Sequence, residues 1–166
     1  MGARRKAREI ALQVLYAYEI NKIPVQEILH NFREAKRIGE EDNKLATVPV
    51  KEEDNSFEIK PFTKKLIDKV IDNHDEIDNI LEQVIKNWSL SRLAMVDKSI
   101  LRLAAAEIKY FDDIPPKVSI NEYIEIAKSF GDEDSPSFVN GVLDKIVHIL
   151  GDDLDKKADP LKKETK

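Results

Sequence analysis

The stretch Ser119–Lys145, SINEYIEIAKSFGDEDSPSFVNGVLDK, reads as two helices joined across a tight acidic corner. Ser119-Ile120-Asn121-Glu122 has the form of a capping box, a hydroxyl at the helix start with a carboxylate three residues on. Ile120, Tyr123, Ile124 and Ala127 then recur at helical spacing. Gly131 suits a left-handed C-terminal stop, since it has no Cβ to clash. Ser135-Pro136 offers a hydroxyl cap and a proline at the first helical position, where its missing N–H costs nothing. Phe138, Val139, Val142, Leu143, Ile146 and Leu150 continue as a buried stripe that Gly151 closes. Each cap contributes about 1 kcal/mol, and together they hold the loop Gly131–Ser135 as a corner able to present side chains to a ligand.

Outward from that corner, 166 residues suffice for one domain with a real core. At 42% hydrophobic and 36% charged residues, the composition is that of an ordinary soluble globular chain. The absence of cysteine excludes disulfides, thiolate catalysis and zinc–sulfur sites. The basic N-terminus is interrupted by Glu9, Gln13 and Glu19, so it lacks the apolar core of a signal peptide. No run approaches the roughly 20 apolar residues of a membrane span, and the expected location is the cytoplasm. A net charge of −5 argues against a globally basic nucleic-acid binder. Its distribution argues otherwise, because Arg4, Arg5, Lys6 and Arg8 make a local basic edge that can hold phosphates.

Taken in order, the chain is helical wherever it is periodic. Ala7, Ile10, Ala11, Val14, Leu15 and Tyr18 form one stripe, with Arg5, Arg8 and Gln13 facing away from it. Pro24 opens a short second helix carrying Val25, Ile28, Leu29 and Phe32. Periodicity fades over about 33–56, a charged loop insertion. It resumes near Pro61 with Phe62, Leu66, Ile67, Val70 and Ile71, and the pattern breaks around Asn73-His74. Asp75 is placed to cap a helix carrying Ile77, Ile80, Leu81, Val84, Ile85 and Trp88. The longest clean helix runs from about Val96 to Phe111, with Ala104–Ala106 allowing close approach, and Ile114-Pro115-Pro116 ends it. The tail 152–166 alternates acids and lysines and is expected to be disordered.

No catalytic constellation emerges. His30, His74 and His148 lie far apart and lack the spacing of a metal site. Glycine is too sparse for a phosphate loop, and no serine sits in a nucleophile elbow. The expectation is no enzyme, no metal and no cofactor. The arginine cluster can be a solvated run or a phosphate-binding edge, and the opposition of cations at a helix N-terminus to its dipole puts the two readings level. Phe138 can be core or a stacking platform for an unpaired base.

Three collinear blocks carry a family resemblance. Arg4-Arg5-Lys6-Ala7-Arg8-Glu9 with Ala11-Leu12-Gln13-Val14-Leu15-Tyr16 resembles the opening helix of the NusB family of bacterial transcription antitermination factors. Arg92-Leu93 and Val96-Asp97-Lys98-Ser99-Ile100-Leu101-Arg102-Leu103-Ala104 with Glu107 resemble its central helix. Pro116-Lys117-Val118-Ser119-Ile120-Asn121-Glu122, Ala127-Lys128-Ser129-Phe130-Gly131 and Phe138-Val139-Asn140-Gly141-Val142-Leu143-Asp144 match most specifically. The region 33–60 departs from the family pattern and is longer than usual.

The resemblance implies an all-α fold of about seven helices in two perpendicular helical-bundle subdomains. Its N-terminal helices would span about 4–72 and its C-terminal bundle about 75–151, making one RNA-binding domain over 1–151. It implies no enzymatic activity. The implied partners are boxA-type single-stranded RNA of nascent ribosomal transcripts, the ribosomal protein NusE and the transcription elongation complex, with no membrane. Some family members also form homodimers. RNA-contacting positions carried over are Arg4, Arg5, Lys6, Arg8, Lys117, Asp134, Ser135 and Phe138; NusE-facing positions are Tyr16 and Asp97. On this resemblance Phe138 becomes a base platform, and Asp134 a regulator of affinity. The rival readings are a purely protein-binding helical scaffold and the RNA-binding head of a ribosomal RNA cytosine methyltransferase. The latter needs a nucleotide-binding domain with a catalytic cysteine.

Overall fold

The computed structural model describes residues 2–38, 61–85 and 90–151. They form seven α-helices and one 3-10 turn at Leu90–Arg92, with no strand among the described residues. The insertion beyond Ile38, Trp88 and the tail 152–166 lie outside them. The chain divides into two compact units, 1–67 and 68–166, the division falling inside the third helix.

The first unit contains α1 (Ala3–Asn21), α2 (Val25–Ile38) and the opening of α3 (Pro61–Asp72), and α1 packs against α2. Ala7, Ala11, Val14 and Leu15 are buried, as their spacing requires. The burial extends further round the helix than one stripe, to Arg8 at 2% and Gln13 at 7% exposed. The expectation that these two face away is therefore corrected. A covering contact arrives from far along the chain: the Thr63 hydroxyl donates a buried 3.0 Å hydrogen bond to the Ala7 carbonyl. Periodicity in a single helix cannot register such a neighbour. At the other end of α1, Lys22 adopts φ 56°, and its N–H donates to the Tyr18 carbonyl.

The second helix runs to Ile38, past the end expected near Phe32. Glu34-Ala35-Lys36-Arg37 are strong helix formers, and they extend the helix without needing apolar periodicity.

The second unit is built around α5 (Met95–Tyr110), which packs against α4 (His74–Val84), α6 (Pro116–Phe130) and α7 (Ser135–Ile149). Every residue from Ser99 to Ile108 is buried. Ala104, Ala105 and Ala106 lie inside that run, where small side chains admit neighbouring helices. Each larger residue fully buried there, such as Leu101 or Ile108, contributes roughly 1.5–3 kcal/mol. Arg102 is held within this core by a fork onto Asp78, with Nε–Oδ1 2.9 Å and Nη2–Oδ2 3.0 Å. That charge-assisted pair ties α5 to α4 and fixes their register more than it adds stability.

Two helix starts differ from the sequence expectation. Asn73, rather than Asp75, occupies the cap position of α4. Its side-chain amide donates to the Lys69 carbonyl at 2.9 Å, so it also closes the end of α3. Asp75 instead lies in the first turn of α4, where a carboxylate suits the positive end of the helix dipole. The capping box at Ser119 does not form. α6 begins at Pro116, and the Ser119 N–H donates to the Pro115 carbonyl as part of the helix. Two prolines fix φ and start the helix a turn earlier, which carries Ser119 into the interior. Its hydroxyl is buried there, with no hydrogen-bond partner among the described residues.

Candidate nucleic-acid interface

Arg4, Arg5, Lys6 and Arg8 occupy the opening turns of α1. Arg4 is exposed, Arg5 and Lys6 are half-buried, and Arg8 is buried. A helix start is unfavourable for cations, so something must hold these side chains. Phe62, the second residue of α3, does so for two of them. The Arg4 guanidinium lies 5.2 Å and that of Arg8 5.3 Å from its ring centroid, within cation–π range. Arg4 and Arg8 are one helical turn apart, so both can reach a single ring. The neighbouring Thr63–Ala7 hydrogen bond pins the two helix starts together.

The corner is built differently. Asp132 Oδ1 accepts the N–H groups of Asp134 at 2.9 Å and Ser135 at 3.1 Å. It also lies 3.2 Å from the Ser135 hydroxyl, and that hydroxyl oxygen accepts the Asp132 N–H at 3.0 Å. The capping carboxylate is thus Asp132, not the Ser135 hydroxyl expected from sequence, and Asp134 holds the cap position without a side-chain bond. An acid three residues before a Ser-Pro is a turn signal that spacing alone had left unassigned. Gly131 has φ −89° and ψ −172°, so no left-handed stop forms. Glycine is required for a different reason. A Cβ there would lie 2.4 Å from Ser135 Oγ, 2.5 Å from Ser135 Cβ and 2.9 Å from the Ala127 carbonyl oxygen.

Around this corner Asp134 is exposed and Phe138 half-buried, while Val139 beside it is fully buried. Ser135 is buried at 2% exposure with its hydroxyl engaged inside the corner. Lys117 is exposed in the first turn of α6, whereas the corner follows its last turn. At 1.5 Å per residue they stand about 20 Å apart, so the structure does not bring Lys117 to the corner.

Of the two expected protein-facing positions, Tyr16 is 37% exposed on α1. Ile20, one turn on, is 49% exposed, so the two make an apolar pair that the sequence reading missed. Its signal was the i, i+4 spacing of an isoleucine to a tyrosine off the core stripe. Asp97 lies in the first turn of α5, and its Oδ1 is buried with no hydrogen-bond partner among the described residues.

Other polar clusters are structural. His74 has Asp78 at i+4, with Nδ1 3.6 Å from Oδ2, but Asp78 is already engaged by Arg102. Among the described residues no group of three or more His, Asp or Glu could hold a metal ion. Glu76 takes up Lys109 and the Tyr110 hydroxyl, the latter at 2.6 Å. The Lys109 hydrogen bond, then that of Tyr110, holds the Glu76 carboxyl below its ordinary range. Burial, reinforced by the bond to Glu76, pushes the Tyr110 phenol up. No helix among the described residues is long and apolar enough to cross a membrane.

Comparison with known proteins covers both units. A family model described as the NusB family matches residues 5–148. The transcription antitermination protein NusB of Geotalea uraniireducens is 43% identical over 152 residues, spanning 92% of this chain and 99% of that protein. The solved structure of T. maritima NusB superposes with a TM-score of 0.66 at 31% identity, covering 89% of this chain and 92% of that one. A structure of the antitermination factors NusB and NusE in complex with dsRNA also matches. Its TM-score is 0.66 at 28% identity, with 88% of this chain and 96% of that chain covered.

Proposed function

The chain belongs to the NusB family, and from that premise we propose that it is a transcription antitermination factor that binds boxA RNA as a heterodimer with NusE. The observation that carries this reading is the arginine set on α1, two members of which are held on one aromatic ring at the start of the chain. Cations at a helix N-terminus oppose its dipole, an arrangement that a phosphate ligand would offset. Support for the partners comes from the structurally similar chain solved with NusE and dsRNA.

The chain acts as an adaptor and performs no catalytic step. In the first unit Arg4, Arg5 and Lys6 neutralise phosphates, with Arg8 bracing them from below. In the second unit the corner presents the Phe138 ring for an unstacked base, and Asp134 sets a negative charge that limits affinity. Ser135 serves by holding the corner rather than by touching RNA. Lys117 makes a separate phosphate contact. In the first unit Tyr16 and Ile20 are NusE-facing; in the second unit Asp97 is a separate NusE-facing position. RNA binding is weak for the chain alone and tighter for the heterodimer, because two contact areas then share one RNA. The heterodimer joins the transcription elongation complex in the cytoplasm.

A gel shift with a boxA oligonucleotide, with and without NusE, tests this reading. The expected result is a weak shift alone and a much tighter one with NusE. NusE binding with no RNA shift in either lane would instead assign a protein-binding scaffold.

A further inference from the structure

We propose that Phe62 is a positioning residue for RNA binding: its ring gathers the exposed Arg4 guanidinium beside that of the buried Arg8 and restrains Arg4 for a phosphate contact. The inference rests on the RNA-binding reading above and assigns a role to a side chain that would touch no RNA. Both guanidinium carbons sit just over 5 Å from the same centroid, at 5.2 and 5.3 Å. Arginine side chains carry a large rotamer entropy, which a ligand contact must otherwise overcome at the moment of binding. A ring that already restrains two of them lowers that cost. The backbone that carries the ring is anchored, because Thr63 beside it is buried and bonded to the Ala7 carbonyl at 3.0 Å, between the two arginines in sequence. Thus α3, though it begins far along the chain, arms the opening of α1.

The test uses the full chain and a single-stranded boxA oligonucleotide, read by fluorescence anisotropy. Phe62→Leu keeps apolar bulk and removes the ring; Phe62→Tyr keeps the ring. Phe62→Leu is expected to weaken binding about three- to ten-fold, the scale of one or two exposed cation–π contacts, while Phe62→Tyr stays near the parent. In an Arg4→Ala background the Phe62→Leu loss should shrink, since the two act through one contact. Parent-like affinity of Phe62→Leu, or a full loss repeated in the Arg4→Ala background, would overturn the positioning role. Should Phe62→Leu fail to fold, pentafluorophenylalanine at position 62 keeps the shape and reverses the ring quadrupole; unchanged affinity there would overturn it equally. If Arg4→Ala and Arg5→Glu also leave affinity unchanged, the RNA reading itself fails. If they weaken binding while Phe62→Leu does not, only the Phe62 role falls.

Discussion

The opening of α1 and the corner before α7 both present polar groups to solvent, yet they are ordered by opposite means. Long cationic side chains gather on an aromatic ring, whose hold is non-directional and tolerant. The corner is a short backbone loop fixed by one carboxylate oxygen and a glycine with no room for a methyl group. Restraint of side chains allows adjustment to an irregular phosphate backbone. Restraint of the main chain fixes a single geometry. The difference predicts that damage at the corner costs folding stability, whereas damage at the arginines costs affinity.

The largest expected effect is at Gly131. Gly131→Ala drives a Cβ to 2.9 Å from the Ala127 carbonyl oxygen, a backbone atom that cannot swing aside. Urea unfolding should show a loss of about 2–3 kcal/mol, the upper range for overpacking. A change below half of that would mean the corner relaxes more freely than its hydrogen bonds suggest. Next is Asp132→Ala, which strips the acceptor from two N–H groups. It should cost about 1–2 kcal/mol in the same experiment. Asp134→Asn separates affinity from stability at the same corner. The residue is exposed and makes no side-chain cap bond, so stability should move by less than about 0.5 kcal/mol. RNA binding should tighten as a charge near phosphates is removed. Weaker binding would show that the carboxylate accepts a base hydrogen bond instead.

The smallest effect lies away from both regions. The folded-state pKa of Glu76 is depressed by Lys109 and Tyr110, so its stabilisation is present above the ordinary glutamate pKa and lost as pH falls through the folded value. Because Glu76 is half exposed, Glu76→Gln should lower stability by only a few tenths of a kcal/mol at neutral pH. The difference should shrink as pH falls below the ordinary glutamate range and vanish below the depressed folded value in parallel thermal melts.

Helix number, order and most core positions were legible in the sequence, because apolar spacing and proline punctuation are local signals. Val139, Val142, Leu143 and Ile146 are buried as their spacing dictates. What the sequence hid depended on contacts across the chain or on competition between local signals. By spacing alone Arg8 faces away from the centre of the apolar stripe, because nothing within α1 announces that Phe62 and Thr63 will pack nearby. Ser119 carried every mark of a cap, but Pro115-Pro116 start the helix first. At the corner, the residue types were legible and their assignment was not: Asp132 and Ser135 are both good cap formers, and only their mutual hydrogen bonds decide between them. Of the candidate RNA positions, the arginine cluster and Phe138 stand out by charge and placement, whereas Lys117, Asp134 and Ser135 come only through family likeness, since their side chains carry no label of a partner.

Contact between the opening of α1 and RNA phosphates is read out by the slope of binding against salt. Arg5 is the residue to change, because it is only half-buried, whereas Arg8→Glu would place a carboxylate at a site only 2% exposed. Titrating boxA RNA against the parent and Arg5→Glu chains with NusE present, over a range of salt concentrations, gives both affinity and slope. Weaker binding and a log–log slope shallower by about 0.7 are expected for the lost phosphate contact. An unchanged slope would contradict it.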